Sequence, residues 1–378
     1  MRNVILAVLA AAALACGSSN GTSTEALSSD ELPAYGMNYG GVDWANIHPE
    51  RLAAANMGLE RAWWSRVDDV HAFDEMMGNA AANHVMVVPI VFAIYPGGYQ
   101  PSVHRAAWRS FVSNAVTRFG PETTATSGTF WREHPELPYL PVRAWEIWNE
   151  ENTPYFWSGS DPGVVSPENY FDALQNAHQV LRSVDPNARI VFGGVTDFPD
   201  RHPHDALDFL AQVTNMQGGN CLYDAVAVHP YSGTVPLAVS RVQATRTRLD
   251  GLGLPDVDIW ITEVGWAVAG PWQRDASGLI AQTPFTTPNQ YHQAKHLQDF
   301  ADAMDAHRAE WHIGPTIWFN YQDVGDWDGN DQRWDYHCGL FGFDATGQPT
   351  VERKSWHAAV AAATKTQSVS LPKLRCAN

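Results

Sequence analysis

The sequence is poor in positive charge. It has 24 Lys and Arg residues against 41 Asp and Glu, which gives a formal net charge of −17 at pH 7. Binding to nucleic acid requires a cationic surface that neutralises phosphates, so this balance argues against a DNA or RNA partner. It also disfavours polyanionic substrates, because the field of the whole protein would repel them.

Cysteine is also scarce. The chain has four, Cys16, Cys221, Cys338 and Cys376. None has C-x-x-C or C-x-x-H spacing, so the sequence predicts no zinc site. In an exported protein, two of the last three cysteines can form a disulfide and leave one free thiol. The sequence does not specify which pair is joined.

The first residues are typical of a targeting segment and not of a membrane span. Arg2 supplies a positive start, and the apolar run over 4–15 is shorter than the roughly 20 residues that cross a bilayer. Ala13-Leu14-Ala15 fits a signal-peptidase site, whereas Cys16 and the small residues after it resemble a bacterial lipoprotein junction. We predict a signal peptide over 1–16 and export, either as a lipoprotein whose only membrane contact is a lipid at Cys16 or as a secreted protein.

The rest of the chain predicts one domain. Residues 17–32 are rich in Ser, Thr, Asn and Gly and are typical of a flexible tether. From 33 to 365 the pattern of apolar residues continues without a second linker, and 366–378 form a C-terminal tail. We expect a monomer.

Within this domain apolar runs alternate with helical patterns. The helix over 167–184, for example, has Ser166 as its N-cap and Pro167 at its first position. Eight strand–helix units predict a (β/α)8 TIM barrel. A doubly wound open sheet is the alternative, but no G-x-G-x-x-G or Walker-type loop follows any strand. The predicted strands are Ala34–Asn38, Leu59–Trp63, Val85–Phe92, Val142–Trp148, Arg189–Gly193, Ala225–His229, Asp258–Thr262 and Thr316–Tyr321.

Two of the apolar runs end in a glutamate. Trp145-Glu146-Ile147-Trp148-Asn149-Glu150 and Trp260-Ile261-Thr262-Glu263 are typical of strands buried on both faces, as in parallel sheets covered by helices. The carboxyl ends of barrel strands lie at the mouth of the barrel, where active sites are found. Two carboxyl groups there are what glycoside hydrolysis requires, one as acid/base and one as nucleophile or base.

The other strand ends carry residues that suit a sugar site. Arg61 or Tyr231 can hydrogen-bond one carboxylate and keep it ionised. Asn149 can bind a sugar 2-hydroxyl, and Trp318 can stack under the ring. The chain has 16 tryptophans, which suits carbohydrate binding, although most of them are expected in the core.

These motifs carry a family resemblance. Arg61 on the second strand, Trp148-Asn149-Glu150 on the fourth, His229-Pro230-Tyr231 on the sixth and Thr262-Glu263-Val264-Gly265-Trp266 on the seventh resemble clan A of the retaining glycoside hydrolases. Further segments extend the resemblance over nearly the whole domain, to the β-xylosidase/α-L-iduronidase family and to cellulase-like relatives: 58–61, 141–152, 186–194 and 339–349.

The resemblance implies a (β/α)8 barrel, net retention of configuration and an oligo- or polysaccharide substrate. Glu150 would be the acid/base and Glu263 the nucleophile, with no cofactor or metal. One position departs from the family, because Glu151 stands where proline is usual. The residues around the two carboxyl groups would be Arg61, Asn149, His229, Tyr231 and Trp318.

Other functions remain open at this stage. A catalytically inactive carbohydrate-binding barrel would keep the fold without turnover. A metal-dependent hydrolase barrel would need His-x-His near the first strand, where 35–38 offers no histidine. The acidic loop over 326–331 resembles a calcium loop but lacks its sixth-position glycine and twelfth-position glutamate, so we interpret it as a solvated loop at the barrel mouth.

Overall fold

The computed structural model describes most of the chain between Ser28 and Cys376. The predicted signal peptide, most of the predicted tether and the acidic loop over 326–331 lie outside the described residues. The described residues are 28, 30–39, 48–64, 70–95, 98–158, 165–197, 205–268, 273–274, 280–281, 287, 289–323, 334–343 and 349–376.

Eight parallel strands close into a barrel in which neighbouring strands follow the chain order and the last strand pairs with the first. The predicted TIM barrel and the single domain are therefore confirmed. The strands are β1 (Tyr35–Asn38), β2 (Leu59–Trp64), β3 (Met86–Val91), β4 (Ala144–Ile147), β5 (Arg189–Thr196), β6 (Ala225–His229), β7 (Asp258–Val264) and β8 (Ile313–Trp318).

A helix follows each strand and covers the barrel. Ser166 caps the fourth helix as predicted, because its Oγ accepts from the backbone N–H of Asn169 at 3.2 Å. No helix of the described residues is both long and apolar enough to cross a membrane. The helices are α1 (Pro49–Ala54), α2 (Asp74–Ala82), α3 (Pro101–Phe119), α4 (Pro167–Val184), α5 (Ala206–Asn215), α6 (Val235–Gly251), α7 (Gln290–Trp311) and α8 (Lys354–Lys365).

Shorter elements decorate this frame. Two strand pairs lie outside the barrel among the loops after β7 and β8, Gln273–Arg274 with Ile280–Ala281 and Phe341–Phe343 with Pro349–Glu352. The short helices are Thr129–Glu133 and Tyr155–Ser158, with 3-10 turns at Val70–Phe73, Gly219–Cys221 and Trp334–His337.

The last barrel strand begins three residues earlier than predicted. The sequence pattern predicts Thr316–Tyr321, whereas the strand runs from Ile313 to Trp318 and includes Gly314 and Pro315. In the structure this segment is part of the strand, and Ile313 pairs with Ile259 on β7. The ring of Trp260 occupies the space that a side chain at residue 314 would need, so only glycine fits there.

Both ends of the domain are tied to the barrel. Glu31–Pro33 pairs antiparallel with Ser368–Ser370, so residues of the predicted tether and of the predicted C-terminal tail form a two-stranded sheet. Cys376 forms a disulfide with Cys221, and Cys338 is a free, buried thiol. The pairing that the sequence left open is thereby specified.

Removal of this disulfide should destabilise the protein. The bond joins residues 155 positions apart, so it restricts a long loop in the unfolded chain. We expect Cys376→Ser to lower the free energy of unfolding by about 2–5 kcal/mol, measured by urea unfolding under oxidising conditions. In reducing buffer the variant and the wild type should unfold alike. Equal stability of the two under oxidising conditions would contradict this role.

Candidate active site

Charged and polar side chains from five strands meet at the carboxyl end of the barrel. The parallel register of the strands brings these side chains to one level, for example Asn38 of β1 beside Arg61 of β2. All of these side chains except Glu150 are almost completely buried. The cluster comprises Asn38, Arg61, Glu146, Asn149, Glu150, His229, Tyr231, Thr262 and Glu263.

Arg61 lies at the centre of this cluster. Its Nε and Nη2 donate to the two oxygens of Glu146, both at 2.7 Å, and its Nη1 donates to Glu263 at 2.5 Å. Nη2 also donates to Oδ1 of Asn149 at 2.7 Å. Burial alone would lower the pKa of Arg61, but the two carboxylates raise it, so the guanidinium stays charged.

Glu263 accepts hydrogen bonds on both of its oxygens. Oε1 accepts from Arg61 and from the side-chain amide of Asn38 at 3.2 Å, and Oε2 accepts from the Tyr231 hydroxyl at 2.8 Å. Burial raises the pKa of Glu263, whereas Arg61 and Tyr231 act in the opposite direction. These donors stabilise the ionised carboxylate relative to a carboxyl group without them.

Glu150 has a different environment. Its Oε1 lies 3.0 Å from Nδ1 of His229. Burial first, and then the charge of Glu263, raise the pKa of Glu150 well above its usual range, although Arg61 opposes them. Of the two carboxyl groups, Glu150 thus has the environment that more strongly favours the protonated form.

The turn after β4 aims Asn149 and Glu150 into the site. Trp148 and Glu150 have positive φ angles of 74° and 45°, which residues other than glycine rarely adopt. Trp148 stacks on Trp157 at 4.4 Å between ring centroids and packs edge-on against Trp108 at 5.4 Å. This packing of large rings holds the turn in a conformation that would otherwise cost energy.

His229 is fully enclosed between Glu150 and Thr262. Its Nε2 lies 3.1 Å from the Thr262 hydroxyl. Burial and the nearby Arg61 lower the pKa of His229 well below its usual value, so the ring is neutral. The ring fits only because residue 194 is a glycine, since a side chain there would collide with it.

Asn149 and Tyr231 complete the group. Nδ2 of Asn149 is buried and has no hydrogen-bond partner among the described residues, so a donor remains for a ligand. The ring of Tyr231 is held by Phe319 and Trp334, edge-on at 6.0 and 5.0 Å between centroids.

Trp318 does not join this cluster, which corrects the expectation that it stacks under a sugar. Its ring lies 5.8 Å from Tyr35 in a stacked arrangement and 6.4 Å from Phe300 of α7. Tyr35 in turn bonds Asp305 of the same helix at 3.0 Å. Trp318 therefore packs between the barrel and α7, and Phe319 is the residue of this segment that contacts Tyr231.

Sequence reasoning missed Asn38, Glu146 and Thr262. Glu146 and Thr262 are polar residues inside otherwise apolar strands, and this was the available signal.

Glu151 also behaves unexpectedly, because it is fully buried and neither carboxyl oxygen has a hydrogen-bond partner among the described residues. Burial raises the pKa of Glu151 well above its usual range.

Three residues of this cluster have side chains of the types that ligate cations. The ligand atoms of Glu150, His229 and Glu263 lie within 4.8 Å of one another. Both oxygens of Glu263, however, already accept from protein donors, and Arg61 adds a positive charge at 2.5 Å. This arrangement suits proton transfer and charge stabilisation better than metal coordination.

Comparisons with solved structures show glycosidases on the same barrel. The chain is similar to a glucosidase from Croceicoccus marinus, with 14% identity, TM-score 0.60 and coverage of 89% of this chain and 68% of that one. It is also similar to a monomeric β-xylosidase from Caulobacter crescentus CB15, with 13% identity, TM-score 0.55 and coverage of 88% of this chain and 68% of that one. For Cel5A from Thermotoga maritima, in complex with mannotriose, the identity is 13% and the TM-score 0.53, and the match covers 86% of this chain and 97% of that one.

No family model matches the chain, and no curated protein sequence is significantly similar to it. The structural likeness, at 13–14% identity, establishes a shared fold with these glycoside hydrolases. The predicted resemblance is confirmed at that level, and the chemistry has to be argued from the site.

Replacement of Arg61 should expose how much the cluster depends on it. Arg61→Met leaves Glu146 and Glu263 buried without their cation, and we expect the free energy of unfolding to fall by about 3–5 kcal/mol. Denaturant unfolding at pH 7 measures this loss.

A matched control is Arg248→Met, which removes an exposed ion pair with Asp208. This change should cost only about 0–1 kcal/mol. Similar losses for the two variants would mean that Arg61 contributes no more than a surface charge.

Proposed function

We propose that this protein is an exported glycoside hydrolase that cleaves O-glycosidic bonds of an oligo- or polysaccharide with retention of configuration. One observation carries the proposal. Two buried glutamates meet at the barrel mouth, and only Glu263 is bonded by both a guanidinium and a phenol. Retaining glycosidases require such an inequality, because one carboxyl must be ionised while the other keeps a proton.

The spacing of the carboxyl groups favours retention over inversion. The facing oxygens of Glu150 and Glu263 lie within 4.8 Å of each other. Retaining enzymes have carboxyl groups about 5–5.5 Å apart, whereas inverting enzymes separate them by roughly 6.5–9.5 Å to admit a water. The geometry therefore supports direct attack by a carboxylate.

In the first step an oxygen of Glu263 attacks the anomeric carbon. The bond to the leaving oxygen breaks as Glu150 donates its proton to that oxygen, and a glycosyl ester forms on Glu263. Asn149 Nδ2, which lacks a protein partner among the described residues, is placed to donate to the sugar 2-hydroxyl. Contacts of this kind strengthen as the oxocarbenium-like transition state develops.

In the second step the ester is hydrolysed. Glu150, now ionised, accepts a proton from a water molecule, whose oxygen attacks the anomeric carbon. The ester bond breaks, and Glu263 regains its charge beside Arg61 and Tyr231. All proton and electron-pair movements are then balanced by protein groups, so the proposal requires no cofactor or metal.

Export is the remaining part of the proposal. The Cys221–Cys376 disulfide supports it, because disulfides persist in oxidising compartments outside the cytoplasm. The signal-like sequence over 1–16 supports it as well, with Cys16 as the candidate lipid attachment site.

Substitution of Glu150 should separate substrates by their leaving groups. Glu150→Gln removes the acid, so we expect a loss of about 10²–10⁴-fold with poor leaving groups and a much smaller loss with dinitrophenyl glycosides, which need no proton. Azide should restore turnover by attacking the glycosyl ester, because it needs no general base.

Glu151→Gln is the control, because the carboxyl group of Glu151 is next to Glu150 in the sequence but is fully enclosed in the protein. The ratio of rates for the two substrates should match that of the wild type. A wild-type ratio for Glu150→Gln together with a changed ratio for Glu151→Gln would move the acid role to residue 151. Binding of sugars without any turnover by the wild type would instead favour an inactive carbohydrate-binding barrel.

A slow substrate should label Glu263. A 2-fluoro glycoside with a good leaving group destabilises both transition states, so the glycosyl ester accumulates. We expect mass spectrometry of a peptic digest to place the label on the peptide that contains Glu263, and proton NMR to show the first product with the anomeric configuration of the substrate. An inverted product, or a label on another carboxylate, would overturn the assignment.

A further inference from the structure

A chain of hydrogen bonds crosses the barrel from Glu150 to Glu146. Oε1 of Glu150 lies 3.0 Å from Nδ1 of His229, Nε2 of His229 lies 3.1 Å from the Thr262 hydroxyl, and that hydroxyl lies 3.1 Å from Oε1 of Glu146. His229, Thr262 and Glu146 are almost fully buried, so water does not compete for these contacts.

The direction of the chain is fixed at its Glu146 end. Both oxygens of Glu146 accept from Arg61, and Oε1 also faces the Thr262 hydroxyl. A carboxylate paired with a guanidinium has only lone pairs to offer, so Thr262 has to donate its single hydrogen there. The remaining lone pairs of the Thr262 hydroxyl then face His229.

The tautomer of His229 follows from this direction. Nε2 also lies 3.4 Å from Nη2 of Arg61, but the two hydrogens of that nitrogen already form bonds of 2.7 Å to Glu146 and Asn149. Nε2 therefore faces the lone pairs of Thr262 and carries the ring hydrogen. In a neutral imidazole the other nitrogen, Nδ1, is then an acceptor.

We propose that Thr262 is a positioning residue for the acid/base: it fixes His229 as the Nε2–H tautomer, whose Nδ1 lone pair accepts a hydrogen bond from the Glu150 carboxyl group and so keeps that carboxyl protonated in the free enzyme. An ionised Glu150 oxygen 3.0 Å from a nitrogen lone pair would be repelled, whereas a protonated one is bonded. The Oε2 of Glu263 lies farther from the same nitrogen, at 3.7 Å, and accepts from Tyr231 instead. The glycosidic oxygen takes the place of Nδ1 when substrate binds. The inference rests on the proposed role of Glu150.

Other charges act on Glu150 as well. Glu263, Asp335 and Glu151 raise its pKa in addition to burial, and Arg61 lowers it. The Thr262 hydroxyl bonds none of these groups directly, since its contacts are His229 and Glu146. A change in the titration of Glu150 on substitution of Thr262 would thus report the hydrogen-bond chain.

The test compares Thr262→Val with Thr262→Ser. Valine has nearly the shape of threonine but cannot accept from Nε2, so the Nδ1–H tautomer becomes favourable, donates to Glu150 and stabilises its ionised form. The basic limb of the pH profile of kcat/KM should then move to lower pH by about one unit for an aryl glycoside with a poor leaving group. Serine retains the hydroxyl and should keep the wild-type profile.

Nitrogen-15 NMR of labelled histidine gives a readout that does not require activity. The His229 signals, assigned by their loss in His229→Gln, should show Nε2–H in the wild type and in Thr262→Ser, and a shift toward Nδ1–H in Thr262→Val. A wild-type Nδ1–H tautomer, or equal profiles for the valine and serine variants, would overturn the proposal. Absence of wild-type turnover would reject the proposed function, while the NMR result would still decide whether Thr262 sets the tautomer.

Discussion

The buried guanidinium of Arg61 is the constraint on which the site depends. A charge this far from water is tolerated only with complete pairing, and Arg61 has it through Glu146, Glu263 and Asn149. Those partners come from β4, the turn after it and β7. The pairing therefore holds only in one register of three strands, and it links the packing of the barrel to the geometry of its mouth.

The same pairing gives the two glutamates different environments. Glu263 receives a charged donor, a phenol and an amide, whereas Glu150 faces a neutral histidine. The Glu150 side chain is 12% exposed and that of Glu263 6%, so their difference arises more from their neighbours than from exposure. These neighbours favour the ionised form of Glu263 more than that of Glu150.

Much of the fold was predictable because the strands are buried on both faces. Their continuous apolar runs locate β1 to β7 closely, and the fourth helix begins and ends at the predicted residues, Pro167 and Val184. The strand β8 was misplaced because Gly314 and Pro315 are usually turn residues. Their place in a strand depends on the ring of Trp260, which is a tertiary contact that no local pattern contains.

The cluster was predictable where residues lie at or near strand ends, as for Glu150, Glu263, Arg61, His229 and Tyr231, whose side chains meet in the structure. Trp318 was misassigned because position along a strand does not specify the side of the barrel that a ring faces.

Glu146 and Thr262 were missed for the opposite reason, since they lie inside strands that were interpreted as core. In a barrel the innermost polar residues do not contact solvent. Their effect reaches the mouth through hydrogen bonds to Arg61 and His229, so a charge or hydroxyl within an apolar strand indicates a group that orients the chemistry above it.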